Sequence, residues 1–280
     1  WYKGPCVLKM LDQFTEKQIP THLPFRFPVQ DVYKFDERRI ISGRVESGTV
    51  SVGDQVVFSP SNKIGVIKTI EAWSVENQPL EAQASQSIGF TLEEQIFVER
   101  GDVATLRSEL PIVSTTFDVN VFWMGKRHLD KERTYTLKLT TQEVPCKVVE
   151  FKKVVDASTL ETLKGQEFLA KNDVAEVTLR TSTPVAFDLF GTVPTTGRFV
   201  LVDEYDVCGG GIITTYKANK TDRLRDEVRH RDFHWLKSDI KLEERAYRNG
   251  HQSTLILIVG PSGIGKSKLA KSLEKKLFEF

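Results

Sequence analysis

The sequence is short of cysteine, has no apolar run of membrane-spanning length, and carries almost no excess charge. Each absence closes off a class of protein. The three cysteines in 280 residues, Cys6, Cys146 and Cys208, lie far apart, and none belongs to a C-x-x-C pair. A disulfide framework or a zinc ribbon is excluded, and the thiols read as reduced, mostly buried side chains of a cytoplasmic protein. The apolar run TLILIV, Thr254–Val259, is far too short to cross a bilayer, and no segment reads as a signal peptide, so no membrane partner is expected. A net charge of +1 gives no reason to expect a polyanion, and nucleic acid is an unlikely partner on that ground. The chain opens on Trp1-Tyr2 without an initiator methionine, which reads as a processed or cut start.

What is present is the composition of a folded chain. Hydrophobic residues make up 40% and charged residues 28%, which excludes a disordered polypeptide, and the length suits about two domains. Residues 1–20 hold one helical pattern, with Pro5 in the first turn and Val7, Leu8, Leu11 and Phe14 on one face. An amphipathic helix packing on the adjoining domain is expected. From 21 to 107 the pattern turns to short β-branched runs closed by Ser47-Gly48 and Gly53-Asp54, with no helix between them. A small antiparallel barrel is the simplest packing. Residues 108–216 repeat the theme in four strand-rich blocks, with turns at Asn172-Asp173 and Gly197, and predict a second barrel. Residues 217–252 are dense in charge of both signs and read as a solvated linker with helical stretches. His230 and His234, four apart there, have no carboxylate or cysteine in a metal-binding arrangement. His128 reads as a surface loop residue, and Trp73, Trp123 and Trp235 as core or interface anchors.

The last segment, 253–280, carries the one motif with chemistry. Gly260, Gly265, Lys266 and Ser267 meet the spacing G-x-x-x-x-G-K-[ST]. TLILIV before them has the character of a strand buried on both faces, and Leu269, Leu273 and Leu277 after them form one stripe of a helix. A strand, a tight glycine turn and a helix N-terminus are what a phosphate cradle needs. Backbone N–H groups of Gly260, Pro261, Ser262, Gly263, Ile264 and Gly265, proline excepted, would wrap a polyphosphate. Lys266 would reach the outer phosphates of ATP, and the Ser267 hydroxyl would ligate Mg²⁺. The chain supplies no recognisable catalytic base.

Specific stretches carry a resemblance. GRVESGTVSVGDQVVFSP and GFTLEEQIFVERGDVATL are similar to the second domain of translation-type GTPases such as elongation factor Tu. FDVNVFWMGKRHLDKERTYTLKLTTQEVPCKVVEF and GRFVLVDEYDVCGGGII resemble the third domain of the large subunit of sulfate adenylyltransferase, and WYKGPCVLKMLDQF resembles the helix leading into its second domain. HWLKSDIKLEERAYRNGHQ and GPSGIGKSKLAKSLEKKLFE resemble the start of adenylylsulfate kinase, which is fused to that subunit in some bacteria. Pro261 and Lys268 depart from the leucine and threonine usual in the kinase loop, and GPSGIGKS also resembles the loop of guanylate kinase.

The resemblance implies a mainly β fold of two elongation factor Tu-like barrels followed by the first strand, phosphate loop and helix of an α/β kinase. It implies a cytoplasmic, bifunctional sulfate-activation enzyme that forms adenylylsulfate and phosphorylates it with ATP. GTP would enter only through a GTPase domain not found in these residues. The implied partners are that GTPase domain and the small sulfate adenylyltransferase subunit, with a homo-oligomer possible. Two other readings stand beside it: a non-catalytic binding module, and a translation-factor-like protein that binds RNA.

Overall fold

The structure, a computed structural model, describes residues 3–14, 19–34, 38–73, 75–157, 161–163, 165–216, 256–260 and 264–279. Two units are resolved by their internal packing, Trp1–Asp226 and Glu227–Phe280. The expected linker 217–252, with His230, His234 and Trp235, lies outside the described residues.

The first unit opens with a short helix, α1 (Val7–Asp12), and then fifteen strands. Eight belong to the first half: β1 (Phe27–Lys34), β2 (Arg39–Arg44), β3 (Thr49–Ser51), β4 (Gln55–Ser59), β5 (Lys63–Glu71), β6 (Glu81–Gln83), β7 (Ser87–Leu92) and β8 (Val103–Leu106). Six close into an antiparallel barrel in the order β1-β2-β7-β5-β4-β8, while β3 and β6 pair apart as a ribbon. The alternation that marks the strands also fills the barrel. Phe27, Val29, Ile41, Phe58, Ile67 and Phe90 point inward and are buried. The Phe27 and Phe90 rings meet tilted at 5.0 Å, a favoured aromatic geometry. Both predicted turns use glycine in the left-handed region, Gly48 at φ 74° and Gly53 at φ 92°.

The second half holds β9 (Ile112–Trp123), β10 (Tyr135–Leu139), β11 (Gln142–Asp156), β12 (Thr162–Leu163), β13 (Asp173–Phe187), β14 (Arg198–Asp203) and β15 (Asp206–Tyr216). The order β10-β14-β15-β9-β13-β11 closes through pairing of β10 with β11, and β12 adds to the β11 edge. Long bulged strands, not many short ones, build this barrel: β11 and β13 pair over their length with register shifts. Its core holds Phe117, Trp123, Tyr135, Leu137 and Phe187. The glycine run in β15 makes room for it. A Cβ on Gly209 would lie 2.7 Å from the Trp123 ring, and one on Gly211 would lie 2.2 Å from the Asn120 carbonyl oxygen and 2.8 Å from the Phe199 ring. Mainly β architecture with two closed barrels is therefore as expected.

Two expectations change. The helix α1 forms, but Val7, Leu8, Leu11 and Phe14 remain exposed, because no described part of the barrels comes against its apolar face. Of the tryptophans, Trp123 is a core residue whose indole N–H donates to the Arg127 carbonyl at 2.7 Å, whereas Trp73 is 69% exposed, which rules out the core half of its reading and leaves the interface half standing.

Candidate functional site

The two barrels are joined by a buried polar clamp. Arg26 precedes β1 and Asp188 follows β13. The Arg26 guanidinium donates through Nε to Asp188 Oδ2 at 2.7 Å and through Nη2 to Oδ1 at 2.8 Å, a bidentate pair with both side chains almost fully buried. Arg26 Nη1 donates to the carbonyls of Phe25 and Glu109, and Thr196 Oγ1 donates to Asp188 Oδ2 at 2.7 Å. Val103, Val113 and Ala186 form a small apolar cluster across the same junction. Gln142 brackets Ala186, donating to its carbonyl at 2.6 Å and accepting from its N–H at 2.8 Å. A charge satisfied this completely fixes orientation, because any rearrangement strands it away from water.

A second buried carboxylate lies on the outer wall of the second barrel. Asp118 accepts from Lys152 Nζ at 2.7 Å, Thr178 Oγ1 at 2.7 Å and Thr215 Oγ1 at 2.9 Å. Burial pushes its pKa up, but the lysine and the two hydroxyls together outweigh burial and hold the carboxyl below the usual carboxylate range. The hydrogen bond from Lys152 to Asp118 in turn raises the lysine's pKa, over a smaller opposing effect of burial. Cys146 and Cys208 are buried and Cys6 is exposed. Burial alone pushes the Cys146 thiol up to about 12, so it is inert as a nucleophile at neutral pH. His128 is exposed and packs edge-on against Phe168 at 4.7 Å. Among the described residues no group of three or more His, Cys, Asp or Glu side chains could hold a metal ion.

In the second unit, considered by itself, the described ends of the predicted phosphate loop come together. A Cβ on Gly260 would lie 3.6 Å from Ile264 Cγ2 and 3.8 Å from Lys266 Cδ, so the chain turns back on itself and the Lys266 stem folds over the start of the turn. Gly265 adopts φ 90°, a conformation only glycine reaches without strain. Its carbonyl accepts from Leu269 N–H at 3.0 Å as the first turn of a helix, α2 (Lys266–Glu279). Lys266 and Ser267 thus occupy the helix N-terminus, where the backbone N–H groups have no intrahelical acceptor. Pro261, Ser262 and Gly263 lie outside the described residues. The buried strand expected over Thr254–Val259 is not formed in its described part. Residues 256–260 carry no strand pairing, and Leu257 and Val259 are 80% and 82% exposed. A strand buried on both faces needs neighbours on both edges, and none of the described residues supplies one.

The comparisons agree with this architecture. Residues 116–214, the bulk of the second barrel, match the family described as GTP-eEF1A C-terminal domain-like. The bifunctional enzyme NodQ of Rhizobium sp. (strain N33) is 30% identical over 281 residues, covering 99% of this chain and 42% of that protein. Sulfate adenylyltransferase subunit 1 of Shewanella oneidensis is 32% identical over 209 residues, covering 72% of this chain and 42% of that protein. Over its own length the chain is thus similar to the bifunctional enzyme NodQ and to sulfate adenylyltransferase subunit 1. It spans less than half the length of these two relatives. A solved structure of sup35 with GMPPNP shares the fold at TM-score 0.65 and 21% identity, over 78% of this chain and 53% of that one. Among the described residues no helix is long and apolar enough to cross a membrane.

Sequence reasoning singled out the loop and overlooked the clamp. In Phe25-Arg26-Phe27 the alternation that turns both phenylalanines inward turns Arg26 outward, which reads as solvated. The signal that could have found its partner is Asp188, a lone carboxylate inside the apolar run VAFDLF.

Proposed function

We propose that this chain is part of a bifunctional sulfate-activation enzyme that forms adenylylsulfate and phosphorylates it with ATP. In this reading the two barrels are a docking platform and the loop Gly260–Ser267 holds the phosphates of Mg·ATP. The observation that carries it is the reach of the similarity. The match to NodQ continues along 99% of the chain, whereas the match to sulfate adenylyltransferase subunit 1 covers 72% of it. The residues beyond the barrels are those that hold the phosphate-loop motif. The adenylylsulfate kinase reading rests on that motif and the helix after it.

The residues present suit the nucleotide. Gly260 comes close to the side chains of Ile264 and Lys266, and Gly265 takes the left-handed φ that opens the helix. Lys266 would neutralise the outer phosphates and the Ser267 hydroxyl would hold Mg²⁺, while the N–H groups of the first turn of α2 face the anion. Bound Mg·ATP would supply the phosphoryl group, and these residues would orient it and spread its charge. Pro261 removes one backbone donor from the cradle.

The barrels would present their outer walls to a GTPase domain and to the small catalytic subunit, with the Arg26–Asp188 clamp keeping the two walls at one angle. The test is co-purification of the chain with the small sulfate adenylyltransferase subunit, with and without an added GTPase domain. A stable complex in either arm is the expected result. Absence of complex in both arms, together with salt-sensitive tRNA binding, would replace this reading with the RNA-binding one.

A further inference from the structure

Between the two barrels lies a cleft of about 880 Å³, separate from the phosphate loop in residues and in chemistry. One wall comes from the first barrel and carries Pro28, Arg44 and Glu46. The other is the outer face of the second barrel. Lys138 is in register with Val200, and Arg198 with Ile212, so these four residues share one face, opposite the buried Leu137, Phe199 and Leu201. Three cations, Arg44, Lys138 and Arg198, therefore line the cleft against one carboxylate, Glu46. Lys138 has a surface partner, Glu143, at 3.3 Å. Arg44 and Arg198 make no ion pair among the described residues.

A second observation points the same way. Thr141 and Thr195 both line the cleft, and the hydroxyl oxygens of both are buried without a hydrogen-bond partner. Buried hydroxyls are ordinarily satisfied, and these two, each on a residue that lines the cleft, have no internal bond to lose in turning to an acceptor that enters it. The frame around them is rigid. The Arg26–Asp188 pair locks the walls together, and Gln142, next to Thr141, is held at both ends of its amide by Ala186. Pro28, Val200 and Ile212 add an apolar floor.

We propose that this cleft binds an organic phosphate or sulfate monoester. The oxyanion sits between Arg44 and Arg198 and accepts from the hydroxyls of Thr141 and Thr195, while the organic body lies on Pro28, Val200 and Ile212. The volume is that of a small-molecule site. The proposal does not depend on the phosphate loop or on the sulfate-activation reading, because none of its residues belongs to either argument.

The test is methyl-detected NMR of the whole chain without Mg²⁺, titrated in turn with adenosine 5′-monophosphate, inorganic phosphate and adenosine. The monophosphate is expected to shift the methyls of Thr141, Thr195, Val200 and Ile212, inorganic phosphate to shift the two threonines more weakly, and adenosine to shift none. Arg44→Gln and Arg198→Gln should each weaken monophosphate binding about tenfold, the loss of one charged hydrogen bond. Thr195→Val should weaken it severalfold and leave the melting temperature of the free protein unchanged, since that hydroxyl has no internal partner to lose. Absence of shifts in the cleft at millimolar monophosphate would overturn the proposal. So would shifts confined to Ile264, equal binding of adenosine, or binding that survives both glutamine substitutions.

Discussion

The barrels and the phosphate-loop segment both contain apolar strand patterns, yet among the described residues only those of the barrels form strands. Val119-Asn120-Val121 in β9 is flanked by β13 and β15, and both valines are fully buried. Leu257-Ile258-Val259 is more apolar but has no described neighbour, and Leu257 and Val259 face solvent. A hydrophobic pattern thus specifies what a segment can do, and pairing partners decide whether it does it. Each barrel carries its partners in its own sequence, so its strands saturate one another's backbone groups and close without an edge. The described part of the loop segment has the features that are local, the Gly265 turn and the helix α2, and no strand partner.

The contrast can be broken hardest at the junction. Asp188→Ala strands the Arg26 guanidinium in a buried site, and the loss should be about 3–5 kcal/mol in chemical denaturation. A loss under about 1 kcal/mol would mean that water reaches the guanidinium and that the clamp is not a clamp. Matched truncations come next. Leu137→Ala, from a fully buried side chain, should cost about 2–5 kcal/mol, whereas Leu257→Ala, 80% exposed, should change stability by less than about 0.5 kcal/mol. Equal effects would show that the loop segment has a packed partner after all. Gly211→Ala should cost about 1–3 kcal/mol, because its Cβ would press on the Asn120 carbonyl and the Phe199 ring, and loss of Trp123 fluorescence polarisation or near-ultraviolet dichroism would locate the damage.

The smallest expected effect is on pH dependence. The Asp118 carboxyl titrates lower in the folded barrel than in the unfolded chain, so its contribution is full above the unfolded value of about 3.9 and is lost as pH falls through the folded one. Lys152 titrates higher when folded, so its share is full below about 10.4 and fades as pH rises through the folded value. Asp118→Asn should therefore flatten the acid limb of the stability profile. An unchanged acid limb would assign it to other carboxylates.

Most of the fold was legible because barrel strands announce themselves locally. Short β-branched runs and strand-rich blocks marked the barrel strands, and glycine turns placed the breaks at Gly48 and Gly53. What could not be read were contacts that join distant parts of the chain. Arg26 and Asp188 are 162 residues apart; Arg26 looks like an ordinary outward-facing charge, and the lone carboxylate in VAFDLF names no partner until the second barrel covers the first. Asp118 is outward by alternation too, yet Lys152, Thr178 and Thr215 bury it. The loop was the reverse case. Its motif was plain from four residues, but whether its ends meet depends on the backbone, and there Gly260 returns to Ile264 and Lys266.

The most direct test of the central claim, that these loop residues hold the phosphates of ATP, is calorimetric titration of the chain with Mg·ATP, using Mg·GTP as control. The account predicts saturable heat with Mg·ATP that disappears in Lys266→Ala while the barrels' melting temperature stays put. No heat with either nucleotide, or heat that Lys266→Ala leaves intact, would contradict it.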